Sequence, residues 1–521
     1  MVWEDELKEL NHRLNLAQQM GGKENVERQH FYGKLTVRER IKLLVDSNSF
    51  NEASALAGAA TYKNNELVDF TPYPRVMGTG KINGLRVFID GGDFTVRGGS
   101  GEKGTGSQPS PLKYASQWRL PLVRLLDAAG GSVRTFEQIG RTYTPDGPST
   151  ELAVNLLNEV PVVSAVLGSV AGLPAIEACL SHFTVMVKDT SQIFAGGPPV
   201  VKAALGYEIS KEDLGDYRSQ VIKTGVIDNL ADTEEEAFEM IRKFLSYMPS
   251  SIWKIPQRIE TNDDPNRKDE ELLSIIPKNV KRSYDPYKIL NHVLDKDSFF
   301  EISPLYGKAR ITGLARVNGY PIGVMINNPR HLGGSTDIAA GEKTMRIVSL
   351  CDTFHLPIVS FVDEPGFMVG MEAQNAGIVR AGARMVSSLA RSQTPWISFY
   401  MKQAYGVAGQ SHHRTTGMYH RYAWPSGRWG SMHIEGGVSA AYKREINASD
   451  DPIAKQQEIE ERLNAMASPF RTAEATGGAG NNHGIDIIDP RDTRPLLCDF
   501  VEMAQEMIET QIGPAPVPYT P

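Results

Sequence analysis

The residues in this chain with chemical potential are backbone amides at glycine turns. An apolar run ends in Ala171–Gly172–Leu173–Pro174, and a second ends in Tyr405–Gly406–Val407–Ala408. Turns of this kind point N–H groups outward, where they can stabilise a developing negative charge. Side-chain chemistry is sparse by comparison. The Gly-Lys pairs at 22–23, 33–34 and 80–81 lack the following Ser or Thr of a phosphate-binding loop. No GxSxG elbow and no HExxH occurs. His412, His413 and His420 cluster, but adjacent histidines on a strand would face opposite sides, which favours polar surface or local hydrogen bonding over a metal site. The Gly-rich stretch GGSGEKGTGS (98–107) lacks the dinucleotide-binding register. It reads as a mobile loop or as a loop beside a phosphate or an acyl thioester.

The elements that hold these turns occur twice. LPLVRLLDAAG (120–130) matches LPIVSFVDEPG (356–366), and VPVVSAVLGSVAG (160–172) matches TPWISFYMKQAYG (394–406). GTGKING (78–84) matches GLARVNG (313–319), and DSNSF (46–50) matches DKDSF (295–299). The four offsets run from 234 (394 against 160) to 249 (295 against 46). That spacing is a duplicated domain, since solenoid repeats recur every ~20–50 residues. Length alone favours three or four domains for 521 residues; the duplication reduces this to two. We expect an N-terminal domain over 1–260, a polar, Pro-containing linker over 261–283 and a C-terminal domain over 284–521. Continuous Val/Ile/Leu runs between helical stretches predict an α/β fold with buried parallel strands. Thr36 with Glu39 three residues on predicts a helix start over VRERIKLLV. A helix is also expected over 3–20, and an extended Pro-rich tail at the C-terminus.

Composition removes several classes. Net charge is −7 without a dense Lys/Arg block, against nucleic acid or an anionic membrane as partner. Three scattered cysteines fit neither a disulfide framework nor a thiolate metal site. No apolar run approaches the ~20 residues of a membrane span. The acidic N-terminus MVWEDELKEL has no signal-peptide pattern, so a cytoplasmic address is expected.

The chain resembles the carboxyltransferase β-subunits of biotin-dependent acyl-CoA carboxylases, of the propionyl-CoA and methylmalonyl-CoA type. The resemblance covers nearly the whole chain. It rests on GKLTVRERIKLLVDSNSF (33–50), GDFTVRGGS (92–100), MVKDTSQIF (186–194), SFFEISPLYGKARITGLARVNGYPIGVMINNP (298–329), DIAAGEKTMRIVSLCDTFHLPIVSFVDEPGFMVG (337–370), QAYG (403–406) and AWP (423–425). It implies a duplicated crotonase-like (ClpP/crotonase) ββα-spiral fold. It also implies that the N-terminal copy holds acyl-CoA and the C-terminal copy of a neighbouring subunit holds carboxybiotin. Carboxybiotin then releases CO2, its ureido anion takes the α-proton, and the thioester enolate attacks the CO2.

Carried over by position, the family's GPCAGGA turn falls on 168–175, which makes Gly172 and Leu173 the thioester donors. Its AYGGA turn falls on 404–408, which makes Val407 and Ala408 the biotin-side donors. DAAGGS (127–132) stands for DSGGAR, with Gly130 and Gly131 as accessory donors; DEPGF adds Gly366 and Phe367, and Gly98 and Gly99 line the substrate. The chain departs from the family at Leu173 and Pro174, at Val133 in place of Arg, at Gln220 near a usual His, and at Val407. Gln410 takes the place of an Asp that bears on acyl chain length. These departures lead us to expect a non-standard acyl-CoA or a lost biotin step. No biotinyl-lysine context or ATP-grasp region is present, so biotin would arrive on a biotin carboxylase or biotin carrier subunit, with a homohexamer of β-subunits and no metal. Two other readings stay open: a biotin-independent acyl-CoA decarboxylase or lyase of the same fold, and a non-catalytic assembly subunit.

Overall fold

The computed structural model describes residues 2–100, 110–144, 147–414, 416–475 and 484–521. Met1–Lys254 forms one compact unit and Ile255–Thr520 a second. Residues 261–283, with a short helix over Leu272–Ile275, thus belong to the second unit.

In the first unit the strands are β1 (Asn51–Ala53), β2 (Gly58–Lys63), β3 (Glu66–Pro72), β4 (Arg75–Ile82), β5 (Leu85–Gly92), β6 (Leu122–Ala128), β7 (Val162–Ala171), β8 (Phe183–Val187), β9 (Gln192–Phe194) and β10 (Asn229–Ala231). Its main sheet runs β1-β4-β5-β6-β7-β8-β10, with β9 paired to the far end of β7. In the second unit they are β11 (Phe300–Ile302), β12 (Arg310–Val317), β13 (Tyr320–Asn327), β14 (Ile358–Glu364), β15 (Trp396–Tyr405), β16 (Tyr419–Ala423), β17 (Arg428–Gly430) and β18 (Asp486–Ile487). That sheet runs β11-β12-β13-β14-β15-β16-β18, with β17 paired to the far end of β15. Strand for strand the two orders are the same. Each begins with antiparallel pairs and becomes parallel from β5 or β13 onward. β6 and β14 are buried at every position, which is why they read as unbroken apolar runs in the sequence. In the main sheet of each copy the register slips at one matching place, between Leu126 and Ala128 and between Val362 and Glu364.

Two repeated segments have a direct physical explanation. β4–β5 and β12–β13 are joined by Asn83–Gly84 and Asn318–Gly319, all four with positive φ, as a type I′ hairpin requires. The carboxylate of Asp46 accepts the amides of Asn83 and Gly84 at 2.9 and 2.8 Å, and that of Asp295 accepts those of Asn318 and Gly319 at 3.0 and 2.8 Å. The repeated DSNSF and DKDSF segments are therefore the acceptors that hold the hairpin tips. Their different offset has a cause as well: the β2–β3 hairpin lies between Asp46 and its tip, and among the described residues the second copy has no counterpart.

Helix starts follow the sequence signals. Thr36 accepts from the Glu39 amide while Glu39 bonds back to Thr36, a complete capping box for Val37–Leu44. The expected N-terminal helix runs over Glu4–Gln18.

Candidate active site

The longest strand of each sheet, β7 or β15, ends in a glycine with positive φ: Gly172 at +68° and Gly406 at +63°. A helix begins at once, over Leu173–Cys179 in one case and Gly406–Gln410 in the other. Only glycine takes this backbone cheaply, and it turns the first helical amides away from the sheet. In the first copy the Gly172 amide donates to Phe194 O of β9 at 3.4 Å. It is thus engaged by the sheet, although the sequence marked it as a donor. Ala175 and Ile176 donate back to Gly172 O, and Pro174 has no N–H. Leu173, at the first helical position, has no acceptor within its own helix. In the second copy Val407 and Ala408 sit in the first turn of the helix. Leu173 is 51% and Val407 53% exposed, while Ala408 is buried. Gln410 closes that helix and is exposed.

Two further turns pack beneath the first. Gly130 (φ +86°) approaches Ala171 so closely that a β-carbon there would lie 2.7 Å from the Ala171 carbonyl. Ser100 Oγ donates to Gly130 O at 2.8 Å, and the Ala129 amide donates to Gly98 O at 2.9 Å. The Gly98 and Gly99 amides are spent inside their own turn, on Phe94 O and Val96 O. Gly131 has open space beside it. Residues 101–107 of the expected Gly-rich loop lie outside the described residues.

The second copy repeats this arrangement at Leu332–Gly334, with Gly333 and Gly334 at positive φ. Sequence reading missed these two glycines. RGGS (97–100) against LGGS (332–335) was the available signal. Gly366 and Phe367 form the turn after β14, where Thr336 bridges to Phe367. The Gly366 amide donates to Glu364 Oε1 at 3.0 Å, so it too is engaged within the protein.

Largely different buried charges anchor the two sets of turns; the one shared position is Asp127 and its counterpart Asp363. Under the first, Asp127 Oδ2 accepts from Lys34 Nζ (3.0 Å), Arg40 Nη1 (3.1 Å) and Gln29 Nε2 (3.0 Å). The carboxylate occupies room that Gly168 leaves; a β-carbon at 168 would sit 2.0 Å from Asp127 Oδ1. Arg40 also pairs with Glu234 through two bonds of 2.8 Å. Burial lowers the Lys34 pKa, against the pull of Asp127.

Under the second set, Glu364 Oε2 accepts from Arg310 Nη2 (2.7 Å), Asn327 Nδ2 (3.1 Å) and Thr336 Oγ1 (2.5 Å), with His412 Nε2 at 3.3 Å. Burial opposes the Glu364 charge, but His412 and Arg310 outweigh it, so the carboxyl titrates below its usual range. His412 is fully buried, and burial together with Arg310 pushes its pKa down to about 4. His413 bonds Tyr400 OH at 2.7 Å and is likewise pushed to about 4 by burial. Of the two expectations, polar surface or local hydrogen bonding, the second holds, and the strand placement is corrected: His412 and His413 follow the helix from Gly406 and are drawn inward by the Glu364 network and by Tyr400. His420 alone stands on a strand, beside Asp486.

Gln220 lies in a π-helical turn over Arg218–Lys223. Among the described residues no group of three His, Cys, Asp or Glu side chains could hold a metal ion, and no helix is long and apolar enough to cross a membrane.

Residues 28–512 match the carboxyl transferase domain family. The chain belongs to the carboxyl transferase family. The propionyl-CoA carboxylase carboxyltransferase subunit of Haloferax mediterranei is 34% identical, over 98% of this chain and 98% of its own. The methylmalonyl-CoA decarboxylase α-subunit of Veillonella parvula is 31% identical, over 96% of each. The crystal structure of transcarboxylase 12S, a hexamer with methylmalonyl-coenzyme A and methylmalonic acid bound, superposes with a TM-score of 0.86 at 29% identity, covering 96% of this chain and 95% of that one. The duplicated crotonase-like fold expected from the sequence is borne out. So is the assignment as a carboxyltransferase of the biotin-dependent acyl-CoA carboxylase class.

Proposed function

We propose that this carboxyltransferase moves a carboxyl group between carboxybiotin, held on a separate biotin carrier or biotin carboxylase chain, and the α-carbon of a short or branched acyl-CoA. The first copy takes the acyl-CoA and the second copy, from a neighbouring subunit of a homohexamer, takes the biotin. The carrying observation is the twin positive-φ glycine that ends β7 and β15 and starts a helix in both copies.

Carboxybiotin supplies CO2 and, once decarboxylated, the base for the α-proton. The chain supplies oxyanion stabilisation. At the first turn the thioester oxygen gains charge as the α-proton leaves, and the Leu173 amide donates to it. Gly131 assists from the neighbouring turn, which Gly130 holds against Ala171. At the second turn Val407 and Ala408 donate to the ureido oxygen, and Phe367 assists. Gly98, Gly99, Gly172 and Gly366 act by shaping turns, since their amides are engaged internally. Pro174 removes one donor that the second copy keeps at Ala408. The thioester side therefore works with fewer amides, and the exposed Leu173 side chain narrows the approach of the acyl group.

The test is transfer of labelled carboxyl from a panel of malonyl-type CoA esters to free biotin by the purified chain. Transfer from at least one ester supports the proposal. Folded protein that transfers none overturns it. Ester turnover without biotin and in the presence of avidin identifies a decarboxylase or lyase, and CoA binding with no turnover identifies an assembly subunit.

A further inference from the structure

His433 stands between the two turns of the second copy, and nothing above uses it. Its Nε2 lies 2.8 Å from the carbonyl oxygen of Pro365, the residue before Gly366. Its ring centroid lies 4.0 Å from that of Tyr405, the residue before Gly406. The backbone on both sides is fixed: β17 pairs with Gln403–Tyr405 of β15, and a helix over Ile434–Ala441 begins immediately after His433. The Ser431 carbonyl lies 3.4 Å from where a β-carbon on Gly406 would stand.

A carbonyl oxygen can only accept a hydrogen bond, so Nε2 must carry the ring proton. In the neutral imidazole this leaves Nδ1 as a lone-pair acceptor. Unlike His412, which is sealed in the Glu364 network, His433 is partly exposed. The second copy thus carries one imidazole acceptor against Tyr405, two residues before the Val407 amide. A cyclic urea presents the complement, a carbonyl oxygen flanked by ring nitrogens, one of which keeps its N–H when the other is carboxylated.

We propose that His433 Nδ1 accepts a hydrogen bond from the free ureido N–H of biotin, fixing the rotation of the ring whose oxygen the turn amides hold. This rests on the reading of the second copy as the biotin side. It assigns a substrate contact to a side chain rather than to the backbone.

Two isosteres separate this role from a structural one. In His433→Asn the amide oxygen can stand where Nδ1 stands, and the bond to Pro365 is lost. In His433→Gln the amide nitrogen can reach Pro365, and the Nδ1 acceptor is lost. The assay is carboxyl transfer to free biotin by the full chain, with KM read separately for biotin and for the CoA ester. Loss of one such hydrogen bond raises a KM by roughly three- to tenfold. The expected result is a biotin KM raised by that factor in His433→Ala and His433→Gln, largely restored in His433→Asn, with the KM for the CoA ester within twofold throughout. Rescue by Gln instead of Asn overturns the proposal in favour of a structural bond to Pro365. An unchanged biotin KM in His433→Ala, or equal damage to both KM values, also overturns it. A wild-type chain that transfers nothing to biotin defeats the broader reading instead, so the two failures are distinguishable.

Discussion

The twin glycines offer the most direct perturbation of the proposed chemistry. Gly172 has φ +68° and ψ −133°, a region that L-residues avoid. A β-carbon there would meet nothing within 4 Å, so Gly172→Ala introduces no clash and only conformational strain. That strain costs on the order of 1–3 kcal/mol. In a unit of this size the melting temperature falls by roughly 2–4 °C per kcal/mol, so the loss is about 2–12 °C and the fold survives. The chain can relieve the strain by returning φ to negative values, which swings the Leu173 amide away from its direction. Loss of one preorganised donor typically lowers kcat by about 10²–10³. Gly406→Ala at φ +63° is the twin experiment on the biotin side. Gly84→Ala is the control. It carries a positive φ of 80° in equally open space, but at the β4–β5 hairpin tip, at the opposite end of the parallel strands. The assay is carboxyl transfer between a malonyl-type CoA and free biotin, alongside thermal melts of the three variants. The expectation is comparable destabilisation in all three, with a rate collapse only in Gly172→Ala and Gly406→Ala. A Gly172→Ala protein that melts lower yet turns over within threefold of wild type would refute the assignment of the Leu173 amide as a donor.

Other outcomes follow from the anchors. Arg40→Met leaves Asp127 and Glu234 buried without their shared cation; it should cost about 3–5 kcal/mol, read as a lower urea midpoint. An alanine at Gly168 would place its β-carbon 2.0 Å from Asp127 Oδ1 and should lower the yield of folded protein in a solubility assay. His412 and His413 stay neutral in the folded chain down to about pH 4. Unfolded imidazoles protonate near 6.5, so between 6.5 and 4 the unfolded state binds more protons and stability falls with falling pH. The effect is on the order of 3 kcal/mol per ring. Melts from pH 7.5 to 5 should show the decline, and His413→Gln should flatten it; an unchanged slope would show that His413 is not its source. Leu173→Ala, at a half-exposed position, should leave stability within about 0.5 kcal/mol and widen the range of CoA esters accepted, measured as relative kcat/KM across the ester panel.

Much of the fold was legible because its determinants are local. The Thr36–Glu39 box and the unbroken apolar runs of β6 and β14 each act over a few residues, and each appears in the structure where the sequence placed it; the Asn-Gly tips are equally local, but are read from the sequence only as part of a repeated segment. The site was less legible because its determinants are not local. That the Gly172 amide is engaged depends on Phe194, from a three-residue strand further along the chain. Arg40 meets Asp127 across 87 residues and Glu234 across 194. His412 was read from its neighbour His413, whereas its burial is decided by Arg310, 102 residues earlier. No periodicity carries such pairings. The doubled RGGS and LGGS turns were visible in the sequence, but only a search for repeats shorter than the apolar runs would have exposed them.

The two anchors also separate what the duplication preserved from what it released. Both copies keep the register slip, the Gly-Gly turn and the positive-φ glycine at matching places. These are backbone features, and each fixes where an amide points. The supports beneath them share one member, the buried carboxylate at Asp127 and at its counterpart Asp363, which lies 3.9 Å from Lys402. The networks that carry the rest of the charge differ. One is a carboxylate fed by Lys34, Arg40 and Gln29; the other is a carboxylate fed by Arg310, Thr336 and Asn327 with a neutral imidazole beside it. A buried charge network can be exchanged for another provided every member is satisfied and the turn above stays in place. An amide direction cannot be exchanged in that way, because only the backbone sets it. That the copies agree in these turns and differ in most of the buried charge beneath them is the pattern expected if the main chain carries the chemistry and the ion pairs hold it in position.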